Sequence, residues 1–209
     1  MTQSNTIIVG LTGGIGSGKS TISKMIMEQD ISIIDADKIS REVLNIYPEI
    51  LLKIKNEFGE EYFYEDGSLN RKKLGQYVFS SEILKKTLEN IIIPYIKREI
   101  FDKIKKCREN MEEIAIVDAP TLIENNLQIY MDYVILVMVD EETQILRVIK
   151  RDLQSKEEVL KRIRNQLSLE EKIQYADYVI DNSKDLDFTK SQLAHILNDI
   201  LLRGKNEKI

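Results

Sequence analysis

The sequence predicts an α/β fold in three layers, with a five-stranded parallel sheet between helices. Three observations carry this. Five short apolar runs rich in Val and Ile punctuate the chain, at 6–11, 31–34, 114–117, 133–139 and 178–180. Each is continuous rather than alternating, the pattern of a strand buried on both faces and so of a parallel sheet. The runs are separated by longer segments with helical periodicity, which makes repeated strand–helix units.

The first run ends in glycines, and a helix is expected from about Lys19 with Ile22, Met25 and Ile26 on its inner face. The second ends in Asp35-Ala36-Asp37, followed by a helix burying Ile39, Val43 and Leu44 and closed by Pro48. Between 49 and 110 no strand signal recurs. A helix covers 51–58, a turn centred on Asp66-Gly67 follows, and three helices are expected at 71–79, 81–92 and 94–107. Ser80 or Ser81 supplies an N-cap, and Pro94 suits a first helical position. Strands return at 114–117 before Asp118-Ala119-Pro120 and at 133–139 before Asp140. A charged helical region at 141–174, broken near Ser155, leads to the last strand, which ends in Asp181-Asn182-Ser183. A helix at 188–202 and a frayed polar tail from Arg203 complete the chain. The domain reading is a core of 1–45 and 111–209, with a lid at about 145–172 and a helical insertion at 46–110.

Composition excludes several classes. The 209 residues are 43% hydrophobic and 31% charged, which suits one globular core with an insertion. A net charge of −5 argues against general nucleic-acid binding, which needs a basic face. The single histidine, His195, rules out a multi-histidine metal site and reads as a surface or packing residue, and the single cysteine rules out an intrachain disulfide. Cys107 lies in a lysine-rich stretch that would lower its pKa, or is simply a half-buried small side chain. No segment reaches the roughly 18 apolar residues of a membrane span, and Met1 to Asn5 lack a basic signal region, so a cytoplasmic protein is expected.

The strongest motif is Gly13-Gly14-Ile15-Gly16-Ser17-Gly18-Lys19-Ser20, which satisfies G-x-x-x-x-G-K-[ST] between an apolar strand and an amphipathic helix. Successive backbone N–H groups and the helix N-terminus make an anion cradle. Its glycines let the backbone approach phosphates, Lys19 reaches the β- and γ-phosphates, and the Ser20 hydroxyl ligates Mg²⁺. This predicts a P-loop NTPase-type core that binds ATP with Mg²⁺. The loop identifies a nucleotide rather than a reaction, since GTPases, ATPases and small-molecule kinases share it. No Asn-Lys-x-Asp guanine-reading segment is present.

Asp35 and Asp37, two apart at a strand end, project to one side of the chain. A carboxylate there would accept or orient an acceptor hydroxyl proton, while Asp37 also suits the cap of the following helix. Which of the two is the base stays open. Asp118, ending a buried run, reads equally as a Walker B carboxylate acting on Mg²⁺ or its water, or as a turn residue. From Arg147 to Lys172 there are eight basic and five acidic residues. That excess fits a mobile helical hairpin closing over ATP, or a solvated face with pairs such as Glu158–Arg162.

Taken together these motifs resemble dephospho-coenzyme A kinases. The residues are 10–21 around the P-loop, Asp35-Ala36-Asp37 with Arg41-Glu42-Val43, and Asp66 to Arg71 with Leu74 and Val78-Phe79. Asp118-Ala119-Pro120 with Leu122 and Glu124 follow, then Gln144, Arg147, Lys150-Arg151-Asp152, Arg162-Ile163 and Gln166, and the run 176–183. The resemblance covers nearly the whole chain. It implies transfer of the ATP γ-phosphoryl group to the ribose 3′-hydroxyl of dephospho-coenzyme A, the last step of coenzyme A synthesis. It further implies that Lys19, Asp37 and Arg151 are catalytic, and that Gly14, Gly16, Ser17, Gly18, Lys19, Ser20, Thr21, Arg147 and Asn182 hold ATP. Asp35, Asp37, Arg41 and Asp118 would serve the acceptor, with Arg147 nearest adenine, Arg151 nearest the phosphates and Asn182 beside adenine. The helical insertion would bind the acceptor, and the protein would be a monomer or small homo-oligomer. The chain departs from the family pattern at Ile93, Asn70, Thr121 and Lys184, where His, Asp, Leu and Gly are usual.

Overall fold

The computed structural model describes residues 6–206. Five parallel strands form one sheet in the order β2-β3-β1-β4-β5. They are β1 (Ile7–Gly13), β2 (Ser32–Asp35), β3 (Ile114–Asp118), β4 (Tyr133–Met138) and β5 (Tyr178–Asp181). β1 is central: Ile7 registers with Ile114 and Leu11 with Asp118 on one side, while Val9 registers with Tyr133 and Gly13 with Val137 on the other. On the edge, Asp35 registers with Asp118. The continuous apolar runs are explained by cover on both faces. One face buries Val9, Leu11 and Ile116 against Ile22 and Ile26 of α1 (Lys19–Met27) and Leu197 of α9 (Leu186–Asn206). On the other face, Leu122 and Met131 close over Gly10 so tightly that a Cβ there would lie 2.5 Å from Leu122 Cδ2.

The chain divides into two compact units, one holding the residues up to Asp35 together with those from Ile104 onward, the other Ala36–Lys103. The boundaries read from the sequence, at 45/46 and 110/111, differ from these. The difference has a packing cause: Val43 and Leu44 of α2 (Ala36–Ile46) belong to the core of the second unit with Ile50, Ile54 and Phe58 of α3 (Glu49–Phe58). That core also takes Tyr62, which lies in a short 3₁₀ turn, and Leu74 and Val78 of α4 (Arg71–Val78). The expected turn at Asp66-Gly67 is present. Gly67 takes φ +80°, and Asp66 Oδ1 accepts from Ser68 N at 2.9 Å and from its Oγ at 2.6 Å.

Several sequence expectations are corrected in the helices. The separate helices at 81–92 and 94–107 are one, α5 (Glu82–Glu109), with Pro94 inside it. Proline removes one backbone hydrogen bond. Here Leu88, Ile91, Ile92, Tyr95 and Ile96 pack against the second unit's core on both sides of Pro94, and that burial outweighs the loss. The charged region after β4 forms three helices rather than two: α6 (Glu141–Asp152), α7 (Lys156–Arg164) and α8 (Leu169–Ile173). Ser155 and Ser168 each close a capping box, with Glu158 and Glu171. Such a cap stabilises a helix start by about 1 kcal/mol. Glu158 is therefore engaged at Ser155, and the expected Glu158–Arg162 pair gives way to Arg162–Asp152 at 2.6 Å. α9 extends to Asn206, so the tail from Arg203 is helical where fraying was expected, and the end of that tail and the residues before Thr6 lie outside the described residues. No helix among the described residues is long and apolar enough to cross a membrane.

Cys107 faces the interior of the first unit at 7% exposure. Burial pushes its thiol up to about 11, and the neighbouring Glu112 carboxylate adds to the shift; the lysines beside it in sequence do not lower it. Native protein at pH 8 should therefore react with a thiol reagent far more slowly than unfolded protein. Rapid stoichiometric labelling of the native state in a colorimetric thiol assay would contradict this burial.

Candidate active site

The turn between β1 and α1 is shaped by backbone conformation. Gly16 and Gly18 adopt φ +77° and +86°, a region that costs an L-residue about 1–2 kcal/mol. There is no room for a side chain either. A Cβ on Gly18 would lie 2.1 Å from Asn182 Nδ2, and one on Gly16 would lie 2.8 Å from the Gln144 carbonyl oxygen. The loop closes on itself through Ser17 N to Gly14 O at 3.1 Å and Thr21 N to Gly18 O at 2.9 Å. Ser17 is 1% exposed, and its hydroxyl is buried without a bond to any described residue.

Side chains from distant segments fix this turn on two flanks. On one flank, Asn182 Nδ2 donates to Ser17 O at 2.8 Å, and Arg147 bridges Ser17 O at 3.4 Å and Asn182 O at 3.0 Å. Thr189 Oγ1 donates to Asn182 Oδ1 at 3.0 Å and so sets the orientation of the amide. On the other flank, Gln166 Oε1 accepts from Ile15 N at 2.9 Å. Gln144 lies against Gly14 on that side. A cleft of about 540 Å³ opens there, lined by Gly14, Gln144, Ile163, Arg164 and Gln166 among others.

At the floor of the loop Lys19 meets Asp118. The Lys19 ammonium pairs with Asp118 Oδ1, their side chains 15% and 8% exposed. Asp118 Oδ2 accepts from Ser23 Oγ at 2.5 Å, so both carboxylate oxygens are engaged. Charge-assisted hydrogen bonds of this kind fix geometry as well as energy. Ser20 stands exposed in the first turn of α1. Asp35 ends β2 in register with Asp118, and Asp37 lies in the first turn of α2; both are exposed.

The structure thus brings Gly14, Gly16, Ser17, Gly18, Lys19, Asp118, Arg147 and Asn182 into one constellation, with Ser20 and Thr21 on the adjoining helical turn. Arg151 is placed differently. It forms a two-point pair with its neighbour Asp152, at 2.7 and 3.0 Å, at the end of α6. The Arg151 and Arg162 guanidiniums hold the Asp152 carboxyl well below its ordinary range. Arg41, exposed on α2, has its carbonyl 3.4 Å from Arg71 Nη2. Sequence reasoning assigned nothing to Ser23, Thr189 or Lys172. Ser23 carried a signal, since it is a polar residue one turn after Lys19 on the buried face of α1. Lys172 carried none, because its partners lie about fifty positions away in the chain, and nothing in the local sequence marks Thr189.

Comparison with known proteins identifies the family. The dephospho-CoA kinase family profile matches residues 7–187. A dephospho-CoA kinase of Clostridium tetani is 48% identical over 193 residues, spanning 92% of this chain and 85% of its own length. One from Clostridium perfringens is 48% identical over 191 residues, spanning 91% and 96%. Among solved structures, a Thermus thermophilus protein of 28% identity aligns over 93% of this chain and 97% of its own, with TM-score 0.79. The chain belongs to the dephospho-CoA kinase family.

Proposed function

We propose that this chain transfers the γ-phosphoryl group of ATP to the ribose 3′-hydroxyl of dephospho-coenzyme A, giving coenzyme A and ADP. The observation that carries the reading is the Lys19–Asp118 pair beneath a glycine loop, in a chain that the family profile matches from residue 7 to 187. Phosphoryl transfer needs little covalent chemistry from a protein; it needs positioning and charge stabilisation. Backbone N–H groups between Gly13 and Ser20, other than those of Ile15 and Ser17 that are bonded within the protein, supply directional donors at the N-terminus of α1. Lys19 supplies a mobile point charge that passes from Asp118 to the β- and γ-phosphates when ATP enters. Arg147 and Asn182, already bonded to the loop carbonyl at Ser17, are assigned to the adenosine side. Arg151 is assigned to the phosphates, which requires it to leave Asp152.

The oxygen donors present fit Mg²⁺. Among the described residues no cluster of three or more His, Cys, Asp or Glu side chains forms a cage. Mg²⁺ is ordinarily held by one or two protein oxygens, with water and substrate phosphate completing its shell. The exposed Ser20 hydroxyl would ligate it directly, and Asp118 would do so through water. When bound, the ion neutralises charge developing on the phosphates. On the acceptor side Asp37 is assigned to take or orient the hydroxyl proton, with Asp35 beside it in sequence and Arg41 one helical turn further along α2. The unit of Ala36–Lys103 is assigned to acceptor binding. A soluble cytoplasmic enzyme, monomeric or a small homo-oligomer, completes the reading.

The direct test is a panel of acceptors with ATP and Mg²⁺. Dephospho-coenzyme A should be phosphorylated far faster than nucleoside monophosphates or shikimate-like alcohols; preference for a nucleoside monophosphate would refute the reading. Lys19→Ala should lower kcat by about two to three orders of magnitude, as the loss of a charge-stabilising donor does elsewhere. Turnover close to wild type would remove Lys19 from the chemistry. Asp37→Asn should depress kcat strongly while leaving ATP affinity within a few-fold. An effect confined to ATP affinity, read by calorimetric titration, would reassign Asp37 to the nucleotide.

A further inference from the structure

Lys172, in α8, is 1% exposed, as buried as the core isoleucines. Its ammonium lies 2.9 Å from Glu124 Oε1 and donates to Pro120 O at 3.2 Å. Stability gives little reason for such a group, since apolar residues of similar volume often serve as well as a buried ion pair. What the pair does instead is join three segments. Pro120 O also accepts from Thr12 Oγ1 at 3.1 Å, and Thr12 lies in β1 just before the phosphate loop. Ala119 N donates to Leu11 O at 3.0 Å, which holds the turn after Asp118 against the same strand. Glu124 Oε1 further accepts from Leu167 N at 3.2 Å, and the residue before it, Gln166, holds the loop N–H of Ile15.

We propose that Lys172 is a positioning residue for phosphoryl transfer. Its ammonium fixes the 118–120 turn and the 166–172 segment in one arrangement. The first carries Asp118, which seats Lys19; the second carries Gln166, which seats Ile15. Both contacts aim groups of the phosphate loop, so a shift of Lys172 is felt where the γ-phosphoryl group reacts. Glu124 is the counter-charge that makes burial of the ammonium tolerable and at the same time the acceptor that anchors Leu167.

The inference rests on the kinase reading, and its test separates the two. The full chain is compared with Lys172→Met, Glu124→Gln and the double variant by thermal melting, by kcat and KM, and by hydrogen exchange of the loop amides at 13–19. Lys172→Met alone should melt lower, because it leaves the half-buried Glu124 carboxylate without its counter-charge. The double variant should recover the melting temperature yet keep kcat reduced about tenfold or more, with KM for ATP little changed and the loop amides exchanging faster. A double variant with wild-type kcat overturns the proposal, whatever its exchange. Gln166→Ala, whose side chain is only partly buried, keeps the test decisive if the apolar swaps fail to fold. Faster exchange at Ile15 and a several-fold loss of kcat are expected, and unchanged values of both overturn it. The exchange measurement needs no substrate, so it stands even if wild-type protein fails to phosphorylate dephospho-coenzyme A, a failure that would instead refute the kinase reading.

Discussion

A loop can offer a ligand only those amides that have no internal partner, and this constraint organises the rest of the first unit. Backbone N–H groups left without partners are costly when buried, so such a turn needs a rigid frame that holds it open. The frame is visible on both flanks. Arg147 and Asn182 grip the carbonyl of Ser17 from one direction, and Gln166 engages the N–H of Ile15 from the other. These residues come from α6, from the end of β5 and from the segment before α8. The parallel sheet makes the convergence possible, because strands of one direction deliver their C-terminal ends to one edge.

The same edge gathers charge of both signs in a small volume. Asp35 and Asp118 terminate neighbouring strands in register, and Lys19 reaches across to Asp118. Asp140 and Asp181 end or follow the strands on the opposite side of β1 and are drawn into local work. Asp140 caps α6 through Thr143 N at 2.8 Å, and Asp181 accepts from Ser183 N at 2.9 Å. Strand-end aspartates are thus of two kinds. Asp140 and Asp181 bond to residues that follow them and shape turns, while Asp118 bonds to Lys19 and Ser23, far along the chain.

This distinction explains what could be read from the sequence. The glycine loop was legible because its conformation is written in consecutive residues, Gly13 to Ser20, between a strand and a helix. The five parallel strands were legible because burial on both faces leaves unbroken apolar runs. Pro94 misled, since its local preference is to begin a helix, and the packing of Ile91, Ile92, Tyr95 and Ile96 overrode it. The break at Ser168 was hidden for the opposite reason, as α8 is short and its capping box sits inside an already polar stretch. Asp118 could equally have been a turn residue until Lys19 was seen against it. Lys172 looked like one more solvated lysine because Glu124 and Pro120 are about fifty positions away.

The pairing of Lys19 with Asp118 also changes what entry of a ligand means energetically. The ammonium is not waiting for a first anion; it already has one, and a newcomer must displace it. Binding is then a swap of counter-ions, governed by the difference between two attractions rather than by either alone. On the proposed function, a weakly charged ligand would leave the lysine with its carboxylate, whereas a polyphosphate would draw it away. On that reading, a single aspartate on the neighbouring strand sets how strongly charged an anion must be to engage the loop lysine.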